Sequence, residues 1–305
     1  QFRNSEVPDP GLVRQITGRH IMLDLSAEIS AQLGTGDAAF ERIFQLTGPV
    51  FRNREGRETL RVEIGGQHYF LKRHWGYGWK FILRTLLTGG FPRISARTEH
   101  EAIQRCQKAG VLTVDVVGVG ERGRNPATRQ SFLLMRELSG CRDLEELCQT
   151  WPTQPPAPKF RQALVNAIGN TTRRMHAAGL NHRDYYLIHL WLEQPTIEDG
   201  ELRLHVIDLH RAMWHRRLPL YWRVKDLAAL LFSARDCGIT KADCLRFIRA
   251  YRDRPLREVF TEESALWRLV LLRSNRLFRK HHHRSPTNEL QIPRLQRRRK
   301  VTGKG

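Results

Sequence analysis

Two aspartates, each beside an apolar segment, constrain the fold of this chain more than any other feature. Asp184 closes the triplet His182-Arg183-Asp184, which follows an amphipathic segment that is predicted to form a helix. Asp208 ends the apolar run from Leu204 to Ile207, which predicts a strand. A carboxylate in a loop after a helix, followed by a second carboxylate at a strand end, is typical of folds that transfer phosphoryl groups.

The residues before position 140 predict a strand-rich region. Two alternating segments flank Gly65-Gly66, which is a good signal for a hairpin whose second strand ends at Lys72. Further strands are expected over 114–119 and 132–135, and a helix over 95–110 with Ser95 as its N-cap.

The residues after position 150 predict a helix-rich region. Apolar residues at three-to-four spacing indicate a buried helix from Phe160 to near Gly179. Two strands, Leu187–Leu192 and Leu202–Ile207, are expected to precede helices over 224–232, 241–251 and 262–278. The fold class is therefore α+β, with two lobes as in protein kinases: a small antiparallel β-rich N-lobe and a larger helical C-lobe.

This order gives four expected regions. Residues 1–40 form a variable leader, residues 41–138 the N-lobe that holds the nucleotide phosphates, residues 139–285 the C-lobe with the catalytic loop and metal site, and residues 286–305 a basic, disordered tail.

Composition narrows the possible partners. The formal net charge is +20, which favours anionic partners such as nucleic acid, anionic lipid or phosphorylated glycans without choosing among them. The five cysteines contain no C-x-x-C pair, which argues against a disulfide framework or a zinc module. No apolar run is long enough for a membrane-spanning helix, so a cytoplasmic protein is expected.

The residue types match the needs of phosphoryl transfer from ATP. Lys72 can place an ammonium group on the nucleotide phosphates, and a helix carboxylate, Glu99 or Glu101, can pair with it. An isolated strand lysine would more often be an exposed edge residue. Asp208 is expected to bind Mg²⁺, because hard cations prefer oxygen ligands.

The triplet supplies the remaining catalytic roles. Asp184 is expected to orient the acceptor hydroxyl and to take up its proton. Arg183 would be the adjacent positioning charge, and His182 a buried hydrogen-bonding strut.

Three departures separate the chain from conventional protein kinases. The position five residues after Asp184, which is an asparagine metal ligand in those enzymes, is His189. The second aspartate begins Asp208-Leu209-His210-Arg211 rather than Asp-Phe-Gly, and no clean glycine-rich loop is present.

The chain resembles the lipopolysaccharide core heptose kinase family over roughly residues 45–280. The resemblance rests on motifs that occur in the family's order: Tyr69-Phe70-Leu71-Lys72-Arg73-His74, Gly76-Tyr77-Gly78-Trp79, Ser95-Ala96 with Glu99, Gly110-Val111 with Thr113, His182-Arg183-Asp184-Tyr185-Tyr186 with His189, Ile207-Asp208-Leu209-His210-Arg211, and Lys225-Asp226-Leu227 with Ser233.

The resemblance implies a role for each of these sites. Glu99 rather than Glu101 would pair with Lys72, and His189 would take the place of the usual asparagine near the metal. Met135, Glu137 and Leu138 would belong to the hinge that meets adenine through its backbone. The aromatic and basic segment from Trp75 to Pro92 would be either an ordinary helix or part of the glycolipid site.

The expected function is an ATP- and Mg²⁺-dependent kinase for a heptose of the lipopolysaccharide inner core, at the cytoplasmic face of the inner membrane. Expected partners are the core glycolipid, an anionic membrane surface and, through the family, acyl carrier protein; no motif for specific nucleic acid is present. Three alternatives stay open: a kinase for Kdo, the acidic sugar joining core to lipid; another kinase-fold phosphotransferase acting on protein or a small molecule; and a basic pseudokinase that only binds.

Overall fold

The computed structural model describes residues 11–15, 21–54, 56–87, 95–194 and 202–286. These residues form two compact units. The first takes its described residues from Gln1–Arg105, Thr113–Ser139 and Asp208–Arg211, and the second from Cys106–Leu112, Gly140–Ile207 and Ala212–Gly305. The division does not follow chain order, unlike the predicted regions 41–138 and 139–285.

In the described part of the first unit, a seven-stranded antiparallel sheet has the order β1-β2-β6-β7-β5-β4-β3. The strands are β1 Val13–Gln15, β2 Ile21–Leu25, β3 Val50–Arg54, β4 Arg57–Ile64, β5 Gln67–His74, β6 Val116–Arg122 and β7 Gln130–Arg136. The helices are α1 Ala27–Leu33, α2 Gly36–Gln45, α3 Gly78–Leu87 and α4 Ala96–Lys108.

The β4–β5 hairpin confirms the prediction made from its glycine turn. Gly65 and Gly66 have φ angles of 58° and 76°, the left-handed values that a tight two-residue hairpin turn requires. The pleat buries Tyr69 and Leu71 in the core. Lys72 therefore projects from the opposite face of the sheet, away from that core.

The predicted variable leader over residues 1–40 differs from the structure where the chain is described. Residues 21–40 include β2, which pairs with β6, and supply Leu23, Leu25, Ile29 and Phe40 to the core without measurable exposure. The alternation of Leu23, Asp24 and Leu25 is a strand signal that the turn-rich composition nearby concealed.

The second unit is rich in helices. Its helices are α5 Leu144–Cys148, α6 Pro158–Ala177, α7 Leu220–Ala234, α8 Lys241–Arg252 and α9 Leu256–His282. Its strands are β8 Cys141–Asp143, β9 Leu180–Asn181, β10 Leu190–Glu193, β11 Leu204–Val206 and β12 Met213–Trp214, in the pairings β11-β10-β8 and β12-β9. The core is formed by α7, α8 and α9, with Leu227, Tyr251 and Trp267 among its buried side chains.

Most of the predicted elements are confirmed here, with one exception. The predicted strand Leu187–Leu192 begins instead as a 3-10 turn, Leu187–His189, and becomes a strand only at Leu190. The turn forms because the His189 amide donates to the carbonyl of Tyr186. The residues between the two predicted strands, 195–201, and residues 287–305 of the predicted tail lie outside the described residues.

Among the described helices, none is long and apolar enough to cross a membrane. All five cysteines are free.

Candidate active site

A buried ionic cluster in the first unit contains the predicted lysine and the second aspartate. Lys72 Nζ lies 2.6 Å from Glu99 Oε1 and 3.1 Å from Asp208 Oδ1. The side chains of Lys72, Glu99 and Asp208 are 11%, 5% and 17% exposed, so water compensates little of their charge. Lys72 is thus not an exposed edge residue.

The helix α4 decides between the two candidate glutamates. Ser95 Oγ accepts a hydrogen bond from the Arg97 amide at the start of the helix, so Ser95 caps the helix as predicted. Glu99, one turn later, meets Lys72, whereas Glu101 forms an ion pair with Arg97 on the same helix. The structure therefore brings Glu99, and not Glu101, to the strand lysine.

Two arginines that the sequence analysis missed join this cluster. Arg57 Nη2 lies 3.9 Å from Asp208 Oδ1 and 4.0 Å from Glu99 Oε2. Arg52 Nη1 lies 3.9 Å from Asp208 Oδ2. Both belong to the β3–β4 hairpin, the position where protein kinases carry a glycine-rich loop. The basic residues from Arg52 to Arg57 are visible in the sequence, but only the pairing of the strands shows that they reach the ionic cluster.

The cluster sets the charge state of its members. Burial by itself would raise the pKa of Asp208, but the charge of Lys72, with a hydrogen bond and charge from His210, holds that pKa well below its usual range. His210 Nδ1 donates to Asp208 Oδ1 at 2.7 Å. Burial likewise opposes the Lys72 charge, yet Glu99 and then Asp208 raise the Lys72 pKa overall. Both groups stay ionised near neutral pH.

The second unit holds the triplet loop, which is organised by a carboxylate on α7. Asp226 has no measurable exposure, and its two oxygens accept from the amides of His182 at 2.7 Å and Arg183 at 2.9 Å. These bonds hold Arg183 at a φ angle of 76°, a left-handed value that costs a non-glycine residue energy.

The histidines of this loop act as struts. His182 Nε2 donates to the carbonyl of Ile207 at 2.8 Å, as a buried strut should. His189 Nδ1 donates to the carbonyl of Asp184 at 2.7 Å, and the rings of His182 and His189 stack with centroids 5.4 Å apart. The Arg183 guanidinium lies 5.0 Å from the ring of Trp222. The backbone on both sides of Asp184 is therefore fixed.

The predicted metal ligands differ in how well they suit Mg²⁺. Asp208 offers an ionised oxygen ligand that is partly accessible, which fits the oxygen preference of Mg²⁺. His189 offers an imidazole, and one of its nitrogens is already engaged with Asp184, so its chemistry does not fit. No group of three or more potential metal ligands occurs among the described residues. Such a sparse set still suits Mg²⁺ held largely by phosphates and water.

The hinge residues are placed at the end of β7. Met135 is buried within the sheet, between Phe70 and Val116. The Glu137 amide donates to the His68 carbonyl, and its carboxylate forms a two-pronged pair with Arg61 at 2.9–3.1 Å. Glu137 thus anchors the segment that is predicted to be the hinge.

The Trp75–Pro92 segment is described as far as α3. Ile82 is buried, while Trp79 and Leu83 are each 53% exposed. The helix thus packs through Ile82 and exposes the apolar side chains of Trp79 and Leu83. Residues 88–94, including Phe91 and Arg93, lie outside the described residues.

A strand lysine paired with a helix glutamate, an aspartate beside them, and a separate fixed loop that carries a second aspartate are the features of a phosphotransferase with a protein-kinase-like fold. The sequence pattern described as the lipopolysaccharide kinase (Kdo/WaaP) family matches residues 41–251. The chain belongs to this family.

Similar proteins agree with this membership. A lipopolysaccharide core heptose(I) kinase WaaP of Pseudomonas aeruginosa is 45% identical over 249 residues, covering 81% of this chain and 92% of that protein. The protein of the same name from Escherichia coli K12 is 40% identical over 248 residues, covering 81% and 94%. A solved structure of WaaP in complex with acyl carrier protein matches with a TM-score of 0.72 and 40% identity, covering 84% of this chain and 99% of that one. The predicted family and kinase-like fold are confirmed.

We predict that the free energy of unfolding depends on pH through His74, which lies close to the ionic cluster. Burial, aided by the charges of Arg57, Lys72 and His210, lowers the pKa of His74 from 6.5 to about 3. Below pH 6.5 the unfolded chain therefore binds a proton that the folded chain does not, so the free energy of unfolding falls as the pH falls. His74→Gln is expected to reduce this slope by about 1 kcal/mol per pH unit.

The measurement is urea unfolding at several pH values from about 5 to 7. His68→Gln, which removes an exposed histidine from the same strand, is the control. Parallel pH dependence in wild type and His74→Gln would show that His74 is not held neutral by its surroundings.

Proposed function

We propose that this chain transfers the terminal phosphoryl group of ATP to a heptose of the lipopolysaccharide inner core. The observation that carries the proposal is the buried Lys72–Glu99–Asp208 cluster, in a member of the lipopolysaccharide kinase family. The relatives named as core heptose(I) kinases support heptose as the acceptor.

The cationic side of the cluster suits the nucleotide phosphates. Lys72, Arg57 and Arg52 bring three positive charges to two carboxylates, so the site has an excess of positive charge. The arginine side chains would contribute to the phosphate contacts that a glycine-rich loop makes elsewhere, and their planar forks suit phosphate oxygens. Glu99 keeps the Lys72 ammonium in place while the phosphates bind.

Asp208 would hold Mg²⁺ together with phosphate oxygens. When bound there, Mg²⁺ would supply positive charge that offsets the charge of the phosphates. The Lys72 charge keeps the Asp208 carboxylate ionised by lowering its pKa, so the ligand is ready at neutral pH. His189 has another role in this scheme: it holds the carbonyl of Asp184 and so positions the catalytic loop.

Asp184 would orient the acceptor hydroxyl and accept its proton. Its backbone is fixed by His189 on one side and by the bonds of Asp226 to His182 and Arg183 on the other. A carboxylate on a fixed backbone would therefore reach the sugar hydroxyl with little reorganisation of the loop.

The proposed acceptor determines where in the cell the reaction would take place. A core glycolipid is anchored in a membrane, so we place the enzyme at the cytoplasmic face of the inner membrane, where ATP is available. The net charge of +20 suits an anionic glycolipid. The exposed side of α3, with Trp79 and Leu83, is a candidate for sugar or lipid contact. Acyl carrier protein is a proposed partner, since a structurally similar WaaP was solved in complex with it.

Asp184→Asn tests the function directly. Because the amide cannot accept the proton, phosphate transfer from labelled ATP to dephosphorylated core lipopolysaccharide should fall by about 10²–10⁴-fold. Binding of ATP should change little, because Asp184 does not hold the phosphates. Transfer is measured by label, and mass spectrometry locates the phosphate on heptose or Kdo.

Three outcomes would overturn parts of this proposal. Phosphate found on Kdo would replace heptose as the acceptor, and failure of the wild type to phosphorylate any core sugar would refute the proposed substrate. Wild-type turnover by Asp184→Asn would remove Asp184 as the base.

Arg57→Ala tests the arginine contribution to the phosphate site. Loss of a charge-assisted contact should raise the KM for ATP about tenfold. Arg57→Lys should raise this KM less, because lysine keeps the positive charge but lacks the planar fork of arginine. Steady-state kinetics with ATP as the varied substrate measure the effect. Arg122→Ala, which breaks the Arg122–Glu41 pair elsewhere on the sheet, is the control. An unchanged KM in Arg57→Ala would place Arg57 outside the nucleotide site.

A further inference from the structure

One side of α9 exposes leucines among arginines. Leu269 and Leu272 are 44% and 63% exposed. Arg273 and Arg276 follow at helical spacings of four and seven from Leu269, so the four side chains share one side of the helix. Single exposed leucines are common on protein surfaces, but two on one basic helix face form a distinct feature.

The start of α7 extends this feature. Leu220 and Tyr221 are 52% and 57% exposed. The guanidinium of Arg273 lies 5.3 Å from the ring of Tyr221, so the two helices meet at this point of the second unit. We call Leu220 and Tyr221 of α7, together with Leu269, Leu272, Arg273 and Arg276 of α9, the leucine–arginine face.

The two segments of the chain that carry the leucine–arginine face contain basic residues and no acidic ones. Neither residues 212–225 nor residues 264–286 contain an aspartate or glutamate. The basic residues of these two segments are Arg216, Arg217, Arg223, Lys225, Arg268, Arg273, Arg276, Arg279, Lys280 and Arg284.

The acidic side chains next to the segment 264–286 are paired with basic ones. Glu262 and Glu263 pair with Arg254 and Arg252 before it, and Asp236 lies 3.3 Å from His282 after it. The basic character of the face is therefore not cancelled by carboxylates within these two segments.

We propose that the leucine–arginine face seats the protein on an anionic phospholipid surface. Exposed leucines and a tyrosine can enter the boundary between headgroups and acyl chains, while the arginines bind lipid phosphates. Insertion of these apolar side chains, together with the arginine contacts to phosphates, would give reversible membrane attachment. The inference does not depend on which sugar the enzyme phosphorylates.

Vesicle binding by the full chain tests the proposal. Wild-type protein is expected to co-sediment with phosphatidylglycerol–phosphatidylcholine vesicles and to bind pure phosphatidylcholine vesicles far less. The double variant Leu269→Gln/Leu272→Gln removes apolar surface without changing charge, and glutamine retains good helix propensity. It should bind the anionic vesicles about tenfold more weakly.

Val13→Gln provides the matched control. Val13 lies on β1 of the first unit and is 61% exposed, close to the 63% of Leu272. Its variant should bind vesicles as the wild type does. Equal vesicle binding by the double variant and the wild type would overturn the proposal, as would equal binding to neutral and anionic vesicles. Loss of binding to an acidic carrier protein, with vesicle binding unaffected, would assign the face to a protein partner instead.

A soluble acceptor separates this inference from the proposed function. Transfer to deacylated core oligosaccharide needs no membrane, so the double variant should match the wild type in that assay. Failure of both proteins to phosphorylate the oligosaccharide would refute the proposed function, while the vesicle comparison would still decide the role of the face.

Discussion

The positive charge of Lys72 is buried on the sheet, and much of the first unit is arranged to compensate for it. An unpaired buried charge would cost several kcal/mol, so carboxylates must reach the end of β5. Helix α4 supplies Glu99, and the short segment Asp208–Arg211 supplies Asp208. Asp208–Arg211 belongs to the first unit although the chain on both sides belongs to the second. Arg57 and Arg52 then give the cluster an excess of positive charge, which suits the binding of phosphates.

The second unit uses a buried carboxylate for a different purpose. Asp226 binds backbone amides rather than a charged side chain, and so fixes the shape of the loop that carries Asp184. The left-handed Arg183 stores local strain that those two hydrogen bonds offset. His182 and His189 complete the support through their rings. The first unit thus holds the charged cluster, and the second holds a loop whose backbone around Asp184 is fixed by hydrogen bonds.

Local chemistry explains which parts could be predicted from the sequence. The glycine pair between alternating segments specifies its hairpin, and Ser95 specifies the start of α4, so Lys72 and Glu99 could be assigned to neighbouring elements. Arg57 escaped prediction because its position depends on the pairing register that sets it opposite His74, which no local pattern encodes. His189 was assigned to the metal by position alone, whereas the 3-10 turn directs its Nδ1 to the Asp184 carbonyl. The role of residues 21–40 in the core also depends on long-range pairing with β6.

A double-mutant cycle on Lys72 and Glu99 tests the central claim most directly, namely that Glu99 acts through Lys72. The variants are Lys72→Met, Glu99→Gln and their combination, with kcat/KM for ATP measured for each and thermal unfolding used to verify folding. If Glu99 only positions the lysine, the double variant should be about as impaired as Lys72→Met alone. Fully additive losses would mean that the two side chains contribute independently, and would contradict the account.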